Sequence, residues 1–326
     1  MTDHQAQAQA ADAAGSAAAR RIGLLLRPTP GAANDVHDVV EQARVAHALG
    51  VPAVWFGQRY DYDSLSLSAV VGAAVPGLRV GTSVVPIGHR HPLVVAGQAQ
   101  TAQAAAGGRF DLGLGLGAPV LEQQAFGSAE ARPIRRLREY LTALRALIDS
   151  GSADLAGETL TARPPTPATV HGGTGVPLLV AAMGPQALAV TGELADGTVP
   201  FLAGRRVLER EIVPALKSAA TAAGRPSPRV VVTVLAVVTA DPDRVRAAAH
   251  DALAFYERIP SYRGVLDREG VERAVDLALI GDEAHVSAGL LGYLDAGATE
   301  LSVTQTALGG PQDQQRTWEL VGALNH

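Results

Sequence analysis

The chain of 326 residues contains no cysteine. That excludes disulfides, thiolate metal sites and cysteine nucleophiles. Lysine is almost as scarce: Lys217 is the only one among 27 basic residues, and it sits in an ordinary helical pattern. Schiff-base chemistry is thereby nearly removed, and the arginine excess reads as genomic composition bias. Charged residues make up 18% and aromatics 4%, with a net charge of -5 and a pI near 6.0. That balance argues against a general nucleic-acid binder. No apolar run reaches the length needed to span a bilayer, so a soluble, cytoplasmic protein with no membrane partner is expected. The N-terminal stretch, rich in Ala, Gln, Asp and Gly, lacks the basic start and continuous apolar core of a secretory signal. Residues 1–20 are expected to form a disordered leader, with a frayed helix as the alternative, ahead of a single domain over 21–326.

What the chain has in quantity is apolar residues, at 47%, and glycine, at 35 positions. Both meet in Gly107 to Gly117, GGRFDLGLGLG. A short apolar run bounded by turn signals reads as a buried strand of a parallel sheet. Gly113, Gly115 and Gly117 fall at every second position, so the bare positions share one face. Such a face lets something approach the backbone closely. One reading is a floor for a flat or bulky ligand; the plain alternative is a strand crowded by its neighbours.

Around this stretch strand and helix patterns alternate. Strands are expected at 22–27, 53–56, 78–85, 107–117, 176–182, 197–202, 230–238 and 301–304. Helices are expected at 36–49, 64–75, 92–106, 132–148, 186–194, 207–223, 242–256, 284–294 and 312–324. Asn34 or Asp35 reads as an N-cap and Pro92 as a first helical residue. The stretch 150–176 reads as an excursion with a short hairpin, and 258–276 as irregular. Eight such alternations point to a (β/α)8 barrel with insertions. An open doubly wound sheet is the runner-up, but the first strand leads into Pro28-Thr29-Pro30-Gly31 rather than a dinucleotide fingerprint. In a barrel the site lies where strands end.

Two long blocks carry a family likeness. Gly81 to Gly117, GTSVVPIGHRHPLVVAGQAQTAQAAAGGRFDLGLGLG, resembles the bacterial-luciferase-like superfamily of flavin- and deazaflavin-dependent barrel enzymes. So does Val176 to Leu202, VPLLVAAMGPQALAVTGELADGTVPFL, and REYLTAL from Arg138 to Leu144, with Pro133 before it, looks like the subgroup using coenzyme F420. The resemblance implies a third strand with a non-proline cis peptide at Ser83-Val84 behind the deazaflavin ring. It implies that Gly115, Gly117 and Ala118 lie under the ribityl chain. It also implies that Ala182, Met183, Gly184, Pro185 and Gln186 hold the cofactor phosphate at a helix N-terminus; a plain helix-start turn is the alternative there. Barrels of this superfamily commonly pair through early helices, so a homodimer through 64–75 and 92–106 is expected. No metal site is expected.

Two departures matter. Where many F420 relatives carry Asp-His after strand two, this chain has Gly57-Gln58-Arg59, and Ala118-Pro119 stands where close relatives show Ser-His. The catalytic candidates are therefore His89 and Gln58. His89 has an intrinsic pKa suited to neutral pH, and Gln58, Arg59 and Tyr60 are possible donors to substrate or ring carbonyls. His91 is expected to hold its loop against the third helix. His171 is a further candidate near the mouth, and Arg163, Arg205 and Arg206 are candidates for the anionic F420 tail. The function implied is an F420-dependent oxidoreductase moving a hydride between the deazaflavin and a small organic substrate. The alternatives are an FMN-dependent monooxygenase and a cofactor-binding relative that has lost catalysis.

Overall fold

A computed structural model describes residues 21–128, 130–173 and 175–326; the leader expected over 1–20 lies outside them. Eight parallel strands close into a ring: β1 (Ile22–Leu26), β2 (Ala53–Phe56), β3 (Arg79–Thr82), β4 (Phe110–Gly115), β5 (Leu178–Val180), β6 (Gly197–Thr198), β7 (Arg229–Val238) and β8 (Glu300–Thr304). Each pairs in parallel with the next, and β8 returns to β1 through Ile22↔Leu301 and Leu24↔Val303. The fold is a (β/α)8 barrel, as the alternation of patterns predicts.

Helices cover the outside. The first five are α1 (Asp35–Ala48), α2 (Ser64–Ala74), α3 (Pro92–Ala105), α4 (Pro119–Phe126) and α5 (Pro133–Ser150). Next come α6 (Pro185–Leu194), α7 (Val213–Ala222), α8 (Pro242–Leu253), α9 (Pro260–Glu269), α10 (Glu283–Asp295) and α11 (Pro311–Ala323). Their starts follow local chemistry. Asn34 and Asp63 accept the amides of His37 and Ser66, and Pro supplies a first residue that needs no donor. Ahead of α7 the helix widens into a π-type turn over Leu208–Ile212. Pro214 follows, and its missing N–H breaks the ordinary ladder there.

Four elements differ from the expected pattern. α4 occupies a stretch with no expected element. α9 lies inside the stretch expected to be irregular, because it buries only Val265 and Leu266 and so carries no apolar stripe. A two-residue strand, Val85–Pro86, continues β3 beyond a break, and Leu279–Gly281 pairs with the far end of β7. The expected hairpin is present as Leu155–Ala156 against Thr161–Ala162.

Inside the ring, side chains on four strands (Leu25, Trp55, Leu179 and Val231) and just past two others (Val84 and Val199) form a small core of their own. Trp55 is accommodated by Gly81, where a Cβ would lie 2.5 Å from the indole. At the strand starts the ring is plugged by ions. Arg229 grips Asp111 (2.9 and 2.8 Å) and Glu300 (2.7 and 3.0 Å), and Arg79 reaches Asp111 at 2.6 Å. Asn325 closes the same end: its Nδ2 donates to the Ile22 carbonyl (3.0 Å) while its Oδ1 accepts the Ile22 amide (2.9 Å).

Candidate functional site

At the opposite end, where strands finish, polar groups are left free. The third strand breaks at Ser83-Val84, joined by a cis peptide not involving proline, as the resemblance implies. Thr82 anchors the break to β4: its Oγ1 donates to the Gly113 carbonyl (2.8 Å) and accepts the Gly113 amide (2.9 Å). This contact explains the glycines. A Cβ on Gly113 would lie 1.9 Å from the Thr82 carbonyl oxygen, and one on Gly115 would lie 2.6 Å from Val84 Cγ2. The bare face of β4 is therefore filled by the neighbouring strand. A ligand resting here would lie on the Val84 side chain, so the crowded-strand reading holds at Gly113 and Gly115. Gly117 turns at φ +81 above the carboxyl of Glu122, and Ala118 starts α4 without a side-chain cap.

Across the mouth, β5 leads through buried Ala182 to α6. The Met183 carbonyl accepts Arg268 Nη2 at 3.1 Å. Gly184 is the N-cap in extended conformation with no side-chain cap, and nothing lies within 4 Å of where its Cβ would stand. Pro185 has no N–H, so the amides of Gln186 and Ala187 are the first helix donors facing that space.

Gln58 is engaged within its own loop. Its Oε1 accepts the amide and the hydroxyl of Ser64 (3.0 and 2.9 Å), and its Nε2 donates to the Arg59 and Tyr62 carbonyls (2.7 and 3.0 Å). That uses every polar site on the amide. His89 is exposed, stacks on Phe126 at 4.1 Å, and sets its Nε2 3.2 Å from the Ser128 carbonyl. His91 holds its loop: Nδ1 accepts the Leu93 amide at the start of α3, and Nε2 donates to the Thr161 carbonyl at 2.8 Å. His171 is not at the mouth. Gly172 and Gly173 beside it pack on Ala104 and Gln100, in the half of α3 nearest the strand starts. Arg163 pairs with exposed Asp154, and the amides of Arg206 and Val207 cap on Glu269.

Some residues at this end carry no readable signal in sequence. Phe201, after β6, meets Tyr256 edge-on at 5.2 Å and Tyr262 at 6.0 Å. Burial pushes the Tyr256 phenol up, opposed by Arg59 and Arg27. Arg27 continues from β1 onto the mouth and makes no ion pair among the described residues. Glu122 lies in a stretch with no expected element and is buried. A hollow of about 380 Å³ beside Arg145, Pro177, Asp196 and Arg229 lies at the ion-plugged end. There Asp196 ties Arg145 and Arg225 together, which is bracing rather than a ligand site. Among the described residues no group of His, Asp and Glu could hold a metal ion.

A sequence profile described as luciferase-like monooxygenase matches residues 6–314. The chain belongs to the luciferase-like monooxygenase family. A Mycobacterium tuberculosis protein provisionally named a coenzyme F420-dependent oxidoreductase is 27% identical over 51% of this chain. The match spans 52% of that relative, about half its length. Among solved luciferase-like folds, the coenzyme F420-dependent tetrahydromethanopterin reductase of Methanopyrus kandleri superposes with a TM-score of 0.78 at 22% identity. It covers 93% of this chain and 97% of its own. The FMN-bound oxygenating constituent of 3,6-diketocamphane monooxygenase from Pseudomonas putida gives 0.74 at 18% identity, covering 93% and 97%.

Proposed function

We propose that this member of the luciferase-like family is a coenzyme F420-dependent oxidoreductase acting on a small organic substrate in the cytoplasm. The observation that carries the reading is the open, uncapped start of α6 at Gly184, on the same face as the Ser83-Val84 break. Free helix amides with no side chain in front of them suit a phosphate. The named F420 relative favours the deazaflavin over FMN.

In this reading Val84 backs the ring, and the ribityl chain rests on the Val84 side chain and along the turn from Gly115 through Gly117 to Ala118, rather than in space left by the glycines. Ala182 and Met183 lead the chain up to Gly184, and the Gln186 and Ala187 amides take the phosphate. A bound deazaflavin supplies the hydride chemistry that no side chain here possesses. Phe201 and Tyr256 then wall the substrate side of the mouth, and Arg27 offers it a positive charge. Gln58 serves by bracing the loop after β2, and His89 sits at the outer rim.

Titrating the protein with F420 and with FMN by fluorescence tests the assignment. Gly184→Asp adds bulk and negative charge where the phosphate would sit. Losing one charge-assisted bond costs roughly 1.5–3 kcal/mol, so affinity should fall about tenfold or more with the melting temperature unchanged. Undiminished affinity in a folded variant would move the phosphate elsewhere. The protein is also read as a homodimer through α2 and α3. Val70 and Val94 are exposed there, and Gly97 opens onto empty space. A monomer by light scattering would overturn that.

A further inference from the structure

Glu122 lies between two loops of the mouth, and among the described residues no donor reaches its carboxyl. It is 5% exposed, its Oε1 is buried with no hydrogen-bond partner, and no ion pair reaches it among the described residues. The loop after β3 and the loop after β4 both close on it through glycine. A Cβ on Gly88 would lie 2.3 Å from Oε1, and one on Gly117 would lie 2.2 Å away. A carboxylate in such a place lacks the donors that would repay its desolvation, whereas the neutral acid carries no charge to solvate.

The surrounding charges do not change this. Burial pushes the carboxyl up; His89 on the β3–α3 loop and Arg136 on α5 pull it down, and Glu130 before α5 pushes it up. Neither makes an ion pair with Glu122: Arg136 donates from Nη1 to the Thr159 carbonyl and leaves its Nε buried without a partner, and His89 lies against the Ser128 carbonyl.

We propose that Glu122 is a positioning residue of the cofactor bed that works only as the neutral acid, wedging the Gly88 and Gly117 loops into the shape that receives an anionic flavin-type cofactor. The proposal rests on the preceding reading of the mouth. On ionisation the O–H bond breaks and its proton passes to water. The carboxylate then turns toward solvent, leaves the two glycine loops unsupported and sets a negative charge beside the anionic ligand. Both effects weaken binding as pH rises.

The test compares wild type with Glu122→Gln, which keeps the shape but cannot ionise. Dissociation constants for F420 and FMN are measured by fluorescence across mildly acidic to mildly alkaline pH, alongside melting temperatures without ligand. Above the Glu122 titration wild-type affinity should fall by up to about tenfold per pH unit relative to the variant. Any titration of the cofactor itself appears in both curves and cancels. A raised folded pKa means stability is lost as pH climbs from the unfolded value through the folded one. The melting temperature of the variant should therefore pull ahead of wild type with rising pH. Gly88→Ala, which drives a methyl into the carboxyl, should weaken cofactor binding at every pH. Parallel affinity curves, or a melting gap that does not widen, would overturn the proposal. If neither cofactor binds either protein, the functional reading falls and takes the ligand half of this one with it. The melting gap would still report whether Glu122 is held neutral.

Discussion

The two ends of the barrel treat polar groups in opposite ways, and β8 crosses from one to the other within six residues. At its start Glu300 takes two hydrogen bonds from Arg229 and ion-pair contacts from Arg79 and Arg21. Two residues on, the Ser302 hydroxyl is buried with no partner, and just past the strand Gln305 Oε1 is in the same state at φ 60. The ionic cluster holds the ring shut at one end, although Arg145 Nε there is buried without a partner, and Ser302 and Gln305 carry the unpartnered oxygens toward the other. The same contrast separates two buried glutamates. Glu139 on α5 accepts the amides of Glu158, Thr159 and Leu160 and the Thr159 hydroxyl, whereas Glu122 accepts none of these.

The hardest blow to this division is Arg229→Met. It leaves Asp111 and Glu300, each 3% exposed, without their main partner. Breaking a buried pair from one side costs about 3–5 kcal/mol, read as a lower denaturation midpoint. Cofactor affinity of the folded fraction should not move, since the cluster lies at the far end. A loss of affinity with stability intact would mean that the two ends are not separate.

Glu139→Gln is next. Hydrogen bonds to a charged group are worth about 1.5–3 kcal/mol, and the substitution replaces a carboxylate acceptor by an amide. Burial pushes this carboxyl up, but the Thr159 hydroxyl and three amides outweigh it and hold it at about 2. Its contribution is thus complete above the ordinary glutamate range and disappears as pH falls through about 2. Acid denaturation curves of wild type and variant should converge in that window. Curves that stay parallel would show that the amides do not hold the charge.

The smallest effect is expected of Ser302→Ala. Removing a buried hydroxyl with no partner relieves a desolvation cost, so stability should rise by up to about 1 kcal/mol or hold steady. A clear loss would place a bound water on Ser302 and make this part of the lumen as satisfied as the start of the strand.

Much of the frame was legible because it rests on local pattern. The Val-rich run of β7 and the caps at Asn34 and Pro92 are decided by residues within a few positions of one another. The break at Ser83-Val84 came through a family likeness rather than through any spacing. What escaped reading depends on partners distant in the chain. Gly113 is bare because of Thr82, 31 positions earlier, and nothing within β4 distinguishes that from room for a ligand. Gln58 looks like a free donor until Ser64 turns back onto it, and nothing marks Glu122 in sequence until two glycine loops close over it. α9 has only two buried residues with which to announce a helix.

The clasp of Asn325 on Ile22 bears on how the barrel is made. The first strand of the ring is finished by Leu301, Ser302 and Val303 on one edge and by Asn325 at its start, 303 residues away. A chain emerging from the ribosome therefore carries β1 with one side unpaired until almost everything else has been synthesised. Contacts this far apart slow closure, and an exposed parallel edge invites pairing with other chains meanwhile. Growth at lower temperature, or slower translation of the last helix, should shift the yield between soluble and aggregated product more than any change at the mouth.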